Sequence, residues 1–169
     1  LEAYLISEIA ANLGEALADD TITTIKTATA TANKVTTAGT KVVTHKELAT
    51  LFGKLKNVSS LVVYVNNATF YNYLVAMEDT TGRPLFQPSM QAGAQGVLIG
   101  AQVKVEESVA DNEILVGDPQ MVVCNMVQDI LIEQDRDIKT HTKIYAGYAR
   151  AESALLNDTS FALLTVKQS

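Results

Sequence analysis

The sequence predicts an α+β fold, with helices gathered in its first half and strands dominating the second. Three observations predict it. Leu1, Leu5, Ile9, Leu13 and Leu17 recur four residues apart, the spacing of one helix face. Leu61-Val62-Val63-Tyr64-Val65 is a short, continuously apolar run, the pattern of a strand covered on both faces. From Val97 onward the apolar runs are short and are punctuated by Gly100, Gly117 and Pro119.

In order, residues 1–20 read as an amphipathic helix, with Glu2, Glu8, Asn12 and Glu15 largely off its apolar stripe. Ten threonines fall in the twenty-four residues from Thr21 to Thr44, and their β-branched side chains favour strand or loop over helix. Thr44-His45-Lys46-Glu47 matches a capping box, opening a second helix with Leu48, Leu51, Phe52 and Leu55 on one face and an end near Lys56-Asn57. Asn66 or Asn67 caps a third helix through Phe70, Leu74 and Met77, closed by the turn Asp79-Thr80-Thr81-Gly82. Arg83 to Gly96 has the signals of a loop, yet it carries Leu85, Phe86 and Met90, which an exposed loop has no reason to hold unless something covers them. Strands follow at Val97–Ile99, Val103–Val105 and Ile114–Val116, then extended chain at 129–133 and 138–152, and a last strand at Phe161–Val166.

Composition narrows the function classes. At 169 residues with 47% hydrophobic and 19% charged residues, the chain suits one domain, or one domain plus an excursion, that needs no disulfide or metal for its core. The net charge is −6, with seven basic against eight acidic residues in 1–85 and six against eleven in 86–169. Without a basic run, a sequence-specific reader of nucleic acid is not expected. Nor is a membrane segment, since no apolar stretch nears the ~20 residues a bilayer requires. No stretch resembles a signal peptide, and the start on Leu1 rather than methionine suggests that residues before it are missing. Cys124, within Met121-Val122-Val123-Cys124, reads as a small buried hydrophobe, and a chain with a lone thiol fits a reducing cytosolic origin.

Chemistry-bearing patterns are sparse. His45 sits in the capping box and His141 among polar strand residues, so neither has ligand spacing, and no metal or cofactor is expected. The acidic groups Glu106-Glu107…Asp111…Glu113 and Asp129…Glu133…Asp135…Asp137 read as solvated faces and turns, since the first lacks the glycine and terminal glutamate of a calcium loop. Gly93, Gly96 and Gly100 form no phosphate cradle. These readings favour a structural or binding protein over an enzyme, with a hydrolase on Cys124 or His141 as a minor alternative.

Val65-Asn66-Asn67-Ala68-Thr69-Phe70…Leu74…Met77-Glu78-Asp79-Thr80-Thr81-Gly82-Arg83-Pro84-Leu85-Phe86-Gln87-Pro88 resembles a signature of major capsid proteins of the Hong Kong 97 type. Leu98-Ile99-Gly100-Ala101-Gln102-Val103 looks like the family's L-x-G-x-x-V strand entry, and Val116-Gly117-Asp118 like its strand ending in G-D. Asp135-Arg136-Asp137 resembles the turn before its long strand, and the leading helix stands where its spine helix does. The resemblance implies a non-enzymatic shell subunit of a phage or prophage head, assembling into pentamers and hexamers that enclose the genome. The alternative it leaves open is an encapsulin-like nanocompartment shell.

The resemblance further implies a peripheral-type region of residues 1–24 and 138–152, and an axial-type region of residues 25–137 and 153–169. Partners would be the chain itself, with scaffold, portal and other head proteins, in a virion capsid assembled in the host bacterial cytoplasm. Arg83, Leu85, Phe86, Gln87 and Met90 would lie toward the capsomer centre under a neighbouring subunit. On that reading Phe86→Asp impairs capsomer formation while leaving the subunit folded. The family's N-terminal arm and extended loop have no counterpart, which implies a fragment that is monomeric or forms small oligomers. The strand Lys139–Tyr148 lacks the Asn and Glu of a Lys–Asn cross-link, so that chemistry is not expected.

Overall fold

The computed structural model describes residues 2–56, 59–78, 82–86 and 96–169. Its first element is the long helix α1 (Glu2–Ala28), which runs eight residues past the end that the apolar stripe predicts. The threonines of the extension do not break it, because Thr21, Thr27 and Thr29 each donate their hydroxyl to the carbonyl four residues back, at 2.7–2.9 Å. Ile22 and Ile25, three apart, are buried, and this tertiary anchoring overrides the weak helix propensity. A 3-10 turn (Thr31–Asn33) then leads into β1 (Lys34–Thr40), so the threonine-rich segment is half helix and half strand.

Helix α2 (His45–Phe52) starts on the predicted capping box: the Glu47 N–H donates to the Thr44 hydroxyl at 3.3 Å and the Thr44 N–H to the Glu47 carboxylate at 2.9 Å. The other Glu47 oxygen accepts from the Ala38 N–H at 2.8 Å, tying α2 to β1. Burial alone would raise the Glu47 carboxyl, but these donors outweigh it and lower it. After β2 (Val62–Val65), Asn66 caps α3, which winds as an α-turn over Asn67–Thr69 and as a π-helix over Phe70–Val75. A half-buried polar cluster holds this element. The Asn112 N–H donates to the Thr69 hydroxyl at 2.9 Å, and Tyr73 donates to the Asn112 side chain at 2.9 Å.

The remaining strands are β3 (Val97–Leu98), β4 (Ala101–Val105), β5 (Glu113–Gly117), β6 (Val122–Asp137), β7 (Thr142–Leu155) and β8 (Phe161–Lys167). Six of them form one mixed sheet in the order β1-β8-β5-β2-β4-β3. The β1–β8 and β2–β4 pairs are parallel and the rest antiparallel. The β3–β4 turn is Ile99-Gly100, both at positive φ (50° and 82°), the geometry whose twist matches a hairpin.

Both sheet faces are covered, which is why its central strands read as unbroken apolar runs. Val63, Val65, Ile114, Val116, Ala162 and Leu164 pack with Leu48, Leu51, Phe70 and Leu74 of α2 and α3. The alternate residues Leu115, Phe161 and Leu163 face Ile22 and Ile25 of α1 instead. Each large side chain so buried contributes on the order of 2 kcal/mol. Gly117 is required where β5 meets β8, because a Cβ there would overlap the Phe161 ring.

The other sheet is a two-stranded ribbon of β6 and β7, outside the main core. A ribbon of this kind is marginal alone. Here α1 lies along one of its faces.

Candidate functional site

Among the described residues, two surfaces that could take part in association are the loop after α3 and the layer that α1 makes with the ribbon. In the loop, Glu78 bridges Pro84, the Leu85 N–H donates to the Met77 carbonyl at 2.9 Å, and Gly82 takes φ 76°. The chain therefore folds back over α3 and drives Phe86 inward. Phe86 is 2% exposed, edge-on to Phe70 at 5.7 Å between ring centroids. This corrects the expectation for Phe86: its own core covers it, and no neighbouring subunit is needed. Leu85 is 46% exposed, and Arg83 is also exposed. Gln87 and Met90 lie outside the described residues. Leu85 borders an open cleft of about 580 Å³ with Val42, His45, Tyr73 and Glu78.

The α1–ribbon layer has clear sidedness. Along β7 the odd residues from Tyr145 to Leu155 are half-buried and the even ones exposed. Gly147 fits beneath the helix because it has no side chain: a Cβ there would overlap Ile9 and press on Leu13. The Thr21 and Ser153 hydroxyls lie 2.8 Å apart, and Glu2 takes a hydrogen bond from Tyr145 at 2.5 Å and an ion pair with Lys143 at 3.2 Å. Tyr145 above all, then Lys143, lowers the Glu2 carboxyl. A Gly147→Val variant is expected to lift the helix and cost about 1–3 kcal/mol in urea unfolding; unchanged stability would contradict the packing.

The opposite ribbon face is open. Leu131 and Tyr148 stand directly across the two strands, 43% and 38% exposed, and Ile144 is 52% exposed. A hydrogen bond to Glu133 raises the Tyr148 hydroxyl, so it stays a neutral donor.

Cys124 is exposed on β6, a correction to the buried reading of its apolar flanks. The flanks belong to a ribbon that α1 covers more fully on β7 than on β6. A thiol-reactive maleimide is expected to label native Cys124 without denaturant; labelling that needs unfolding would contradict the exposed position.

One further cleft, about 330 Å³, lies between α1 and the sheet, lined by Leu17, Thr21, Ile25, Tyr64, Pro119 and Phe161. Burial, then Glu106 and Asp118, raises the Tyr64 hydroxyl. Among the described residues no three His, Cys, Asp or Glu side chains cluster as metal ligands, and no helix is long and apolar enough to cross a membrane.

The profile of the Phage capsid family matches residues 1–166. The chain belongs to that family. Solved structures similar to this capsid-family chain include the capsid of an empty GTA particle, at TM-score 0.81 and 21% identity, covering 99% of this chain and 66% of that one. Mycobacterium phage Che8 is similar at TM-score 0.57 and 17% identity, covering 97% and 62%. An encapsulin complex from Synechococcus elongatus PCC 7942 is similar at TM-score 0.62 and 15% identity, covering 83% and 55%. The fold is thus the α+β capsid fold of the Hong Kong 97 type. The chain spans 55–66% of the lengths of the first three such structures. No curated protein matches it significantly in sequence.

Proposed function

We propose that this chain is a structural subunit of a phage or prophage icosahedral head, associating with itself into pentamers and hexamers that enclose the genome. The family match over residues 1–166 carries the reading. The exposed apolar residues Leu131, Ile144 and Tyr148 on the open ribbon face support it, since a shell subunit covers such a face with a neighbour. In this reading the peripheral-type region expected at residues 1–24 and 138–152 takes in the whole ribbon 122–155, because β6 pairs with β7 and not with the six-stranded sheet. The six-stranded sheet with α2 and α3 forms the axial-type region, and Arg83 and Leu85 face the neighbouring subunit. Scaffold and portal proteins are its partners, assembly takes place in the host bacterial cytoplasm, and the subunit has no enzymatic activity.

Sedimentation of the full-length gene product tests this: capsomers or shells are expected, and a protein that stays monomeric under every assembly condition would overturn the proposal. A second reading, an encapsulin-like compartment, draws on the similarity to the Synechococcus complex. Neighbouring genes separate the two. Terminase and portal genes support the phage head, and a cargo-enzyme gene supports the compartment.

A further inference from the structure

Charge is segregated along the first third of the chain. Residues 1–20 hold five acidic and no basic residues, whereas residues 21–56 hold six lysines and a single acid, Glu47. At helical spacing Tyr4, Glu8, Glu15 and Asp19 share one face of α1, and all four are exposed. That face is turned away from Ile9 and Leu13, which rest on the ribbon over Gly147. Glu2 is the acid already neutralised, by Lys143.

Lys34, Lys54 and Lys56 gather at the other end of the helix, around the 3-10 turn and the start of the edge strand β1. Lys34 donates to the Thr27 carbonyl at 3.5 Å and Lys54 to the Ala32 carbonyl at 2.5 Å, while the Lys56 N–H donates to the Thr159 carbonyl at 3.1 Å. Lys26 is spent on Glu113, at 2.5 Å. Among the described residues no ion pair involves Lys34, Lys54 or Lys56. One acid, Asp158, shares this end, its carbonyl accepting from the Ala30 N–H at 2.9 Å.

Most of the acidic face stands too far from these lysines to pair with them within one molecule. Lys34 reaches the Thr27 carbonyl, and at 1.5 Å per residue Glu8 and Glu15 lie about 28 and 18 Å along the helix from Thr27 and Asp19 about 12 Å, all beyond the screening length of about 8 Å at physiological salt. Two copies have no such constraint. We infer that the Tyr4–Glu8–Glu15–Asp19 face of α1 docks against the Lys34–Lys54–Lys56 end of a second copy, a head-to-tail contact between unlike surfaces. Such a contact leaves one free surface of each kind on every added copy, so it propagates and closes into a ring when the rotation allows. It gives α1, an otherwise solvated helix face, a partner of opposite charge, and it makes association depend on salt. The inference rests on the shell-subunit reading and specifies which surfaces of the subunit meet.

Reciprocal charge reversal tests it. One variant carries Glu8→Lys, Glu15→Lys and Asp19→Lys; the other carries Lys34→Glu and Lys56→Glu, leaving Lys54 to its carbonyl contact. Circular dichroism confirms that both fold. By sedimentation equilibrium the unaltered chain is expected to self-associate about tenfold more weakly at 300 mM than at 50 mM NaCl. Each variant alone is expected to lose that association, and a mixture of the two to recover it in assemblies where they alternate at one-to-one stoichiometry. Self-association that neither salt nor either variant changes would overturn the inference while leaving the shell reading intact. A chain that stays monomeric up to millimolar concentration at low salt would also overturn the inference, while the shell reading stands or falls on the full-length product.

Discussion

Phe86→Asp is expected to destabilise the subunit severely. The ring is 2% exposed, packed edge-on against Phe70 within the cluster that also holds Leu74 and Met77. Removing a buried Phe side chain costs about 3–5 kcal/mol through lost transfer energy and the cavity left behind. A carboxylate in its place adds a buried charge with no partner built for it. The sum exceeds about 4 kcal/mol, a large share of the 5–15 kcal/mol that holds a domain folded. Thermal melting followed by circular dichroism should fall by at least about 8–16 °C. Leu85→Asp is the informative control. Leu85 is 46% exposed, so its replacement should change stability by less than about 1 kcal/mol while weakening assembly. A Phe86→Asp protein as stable as the unaltered one would contradict the inward turn of the loop.

Asp118→Ala is the second large effect. The carboxylate is fully buried at the end of β5. One oxygen accepts from the Ser59 N–H at 2.7 Å, the Ser59 hydroxyl at 2.9 Å and the Ser60 N–H at 3.2 Å; the other accepts from the Gln120 N–H at 3.0 Å. Alanine removes four hydrogen bonds to a carboxylate, and since their donors lie on exposed residues that water can partly satisfy, the cost is about 1–3 kcal/mol. Burial alone would raise this carboxyl, but the donors, led by the Ser59 N–H, hold it at about 2 against an ordinary 3.8. The folded state therefore binds its proton later than the unfolded chain does. The stabilisation is complete above about pH 4 and is lost as the pH falls toward 2. Urea unfolding across that window should show the loss in the unaltered protein and much less of it in Asp118→Asn. Equal acid sensitivity in both would remove Asp118 as the source.

Much of this fold is legible in the sequence because its signals are local. The Thr44–Glu47 capping box, the Asn66 cap, the run 61–65 and the break at Gly100 each encode their own geometry, and each element forms where those residues predict. What the sequence misses depends on partners far along the chain. The extension of α1 through Thr21–Ala28 is held by burial of Ile22 and Ile25 against Phe161 and Leu163, which no local window contains. β6 reads as extended chain only over 129–133 and as a turn at Asp135-Arg136-Asp137, yet its pairing with β7 makes all of Val122–Asp137 one sixteen-residue strand. Cys124 and Phe86 invert for one reason. Apolar flanks do not say whether a segment lies over the core or on an open ribbon, so the thiol is exposed and the loop ring is buried.

The proposal on which the rest depends is that the full-length gene product builds a closed shell from subunits carrying this fold. Electron cryomicroscopy of the full-length gene product tests it most directly. The predicted result is closed particles whose five- and six-fold rings repeat this fold, with α1 and the ribbon in contact with neighbouring subunits. Fields of dispersed monomers, or particles in which α1 and the outer ribbon face touch no neighbour, would contradict it.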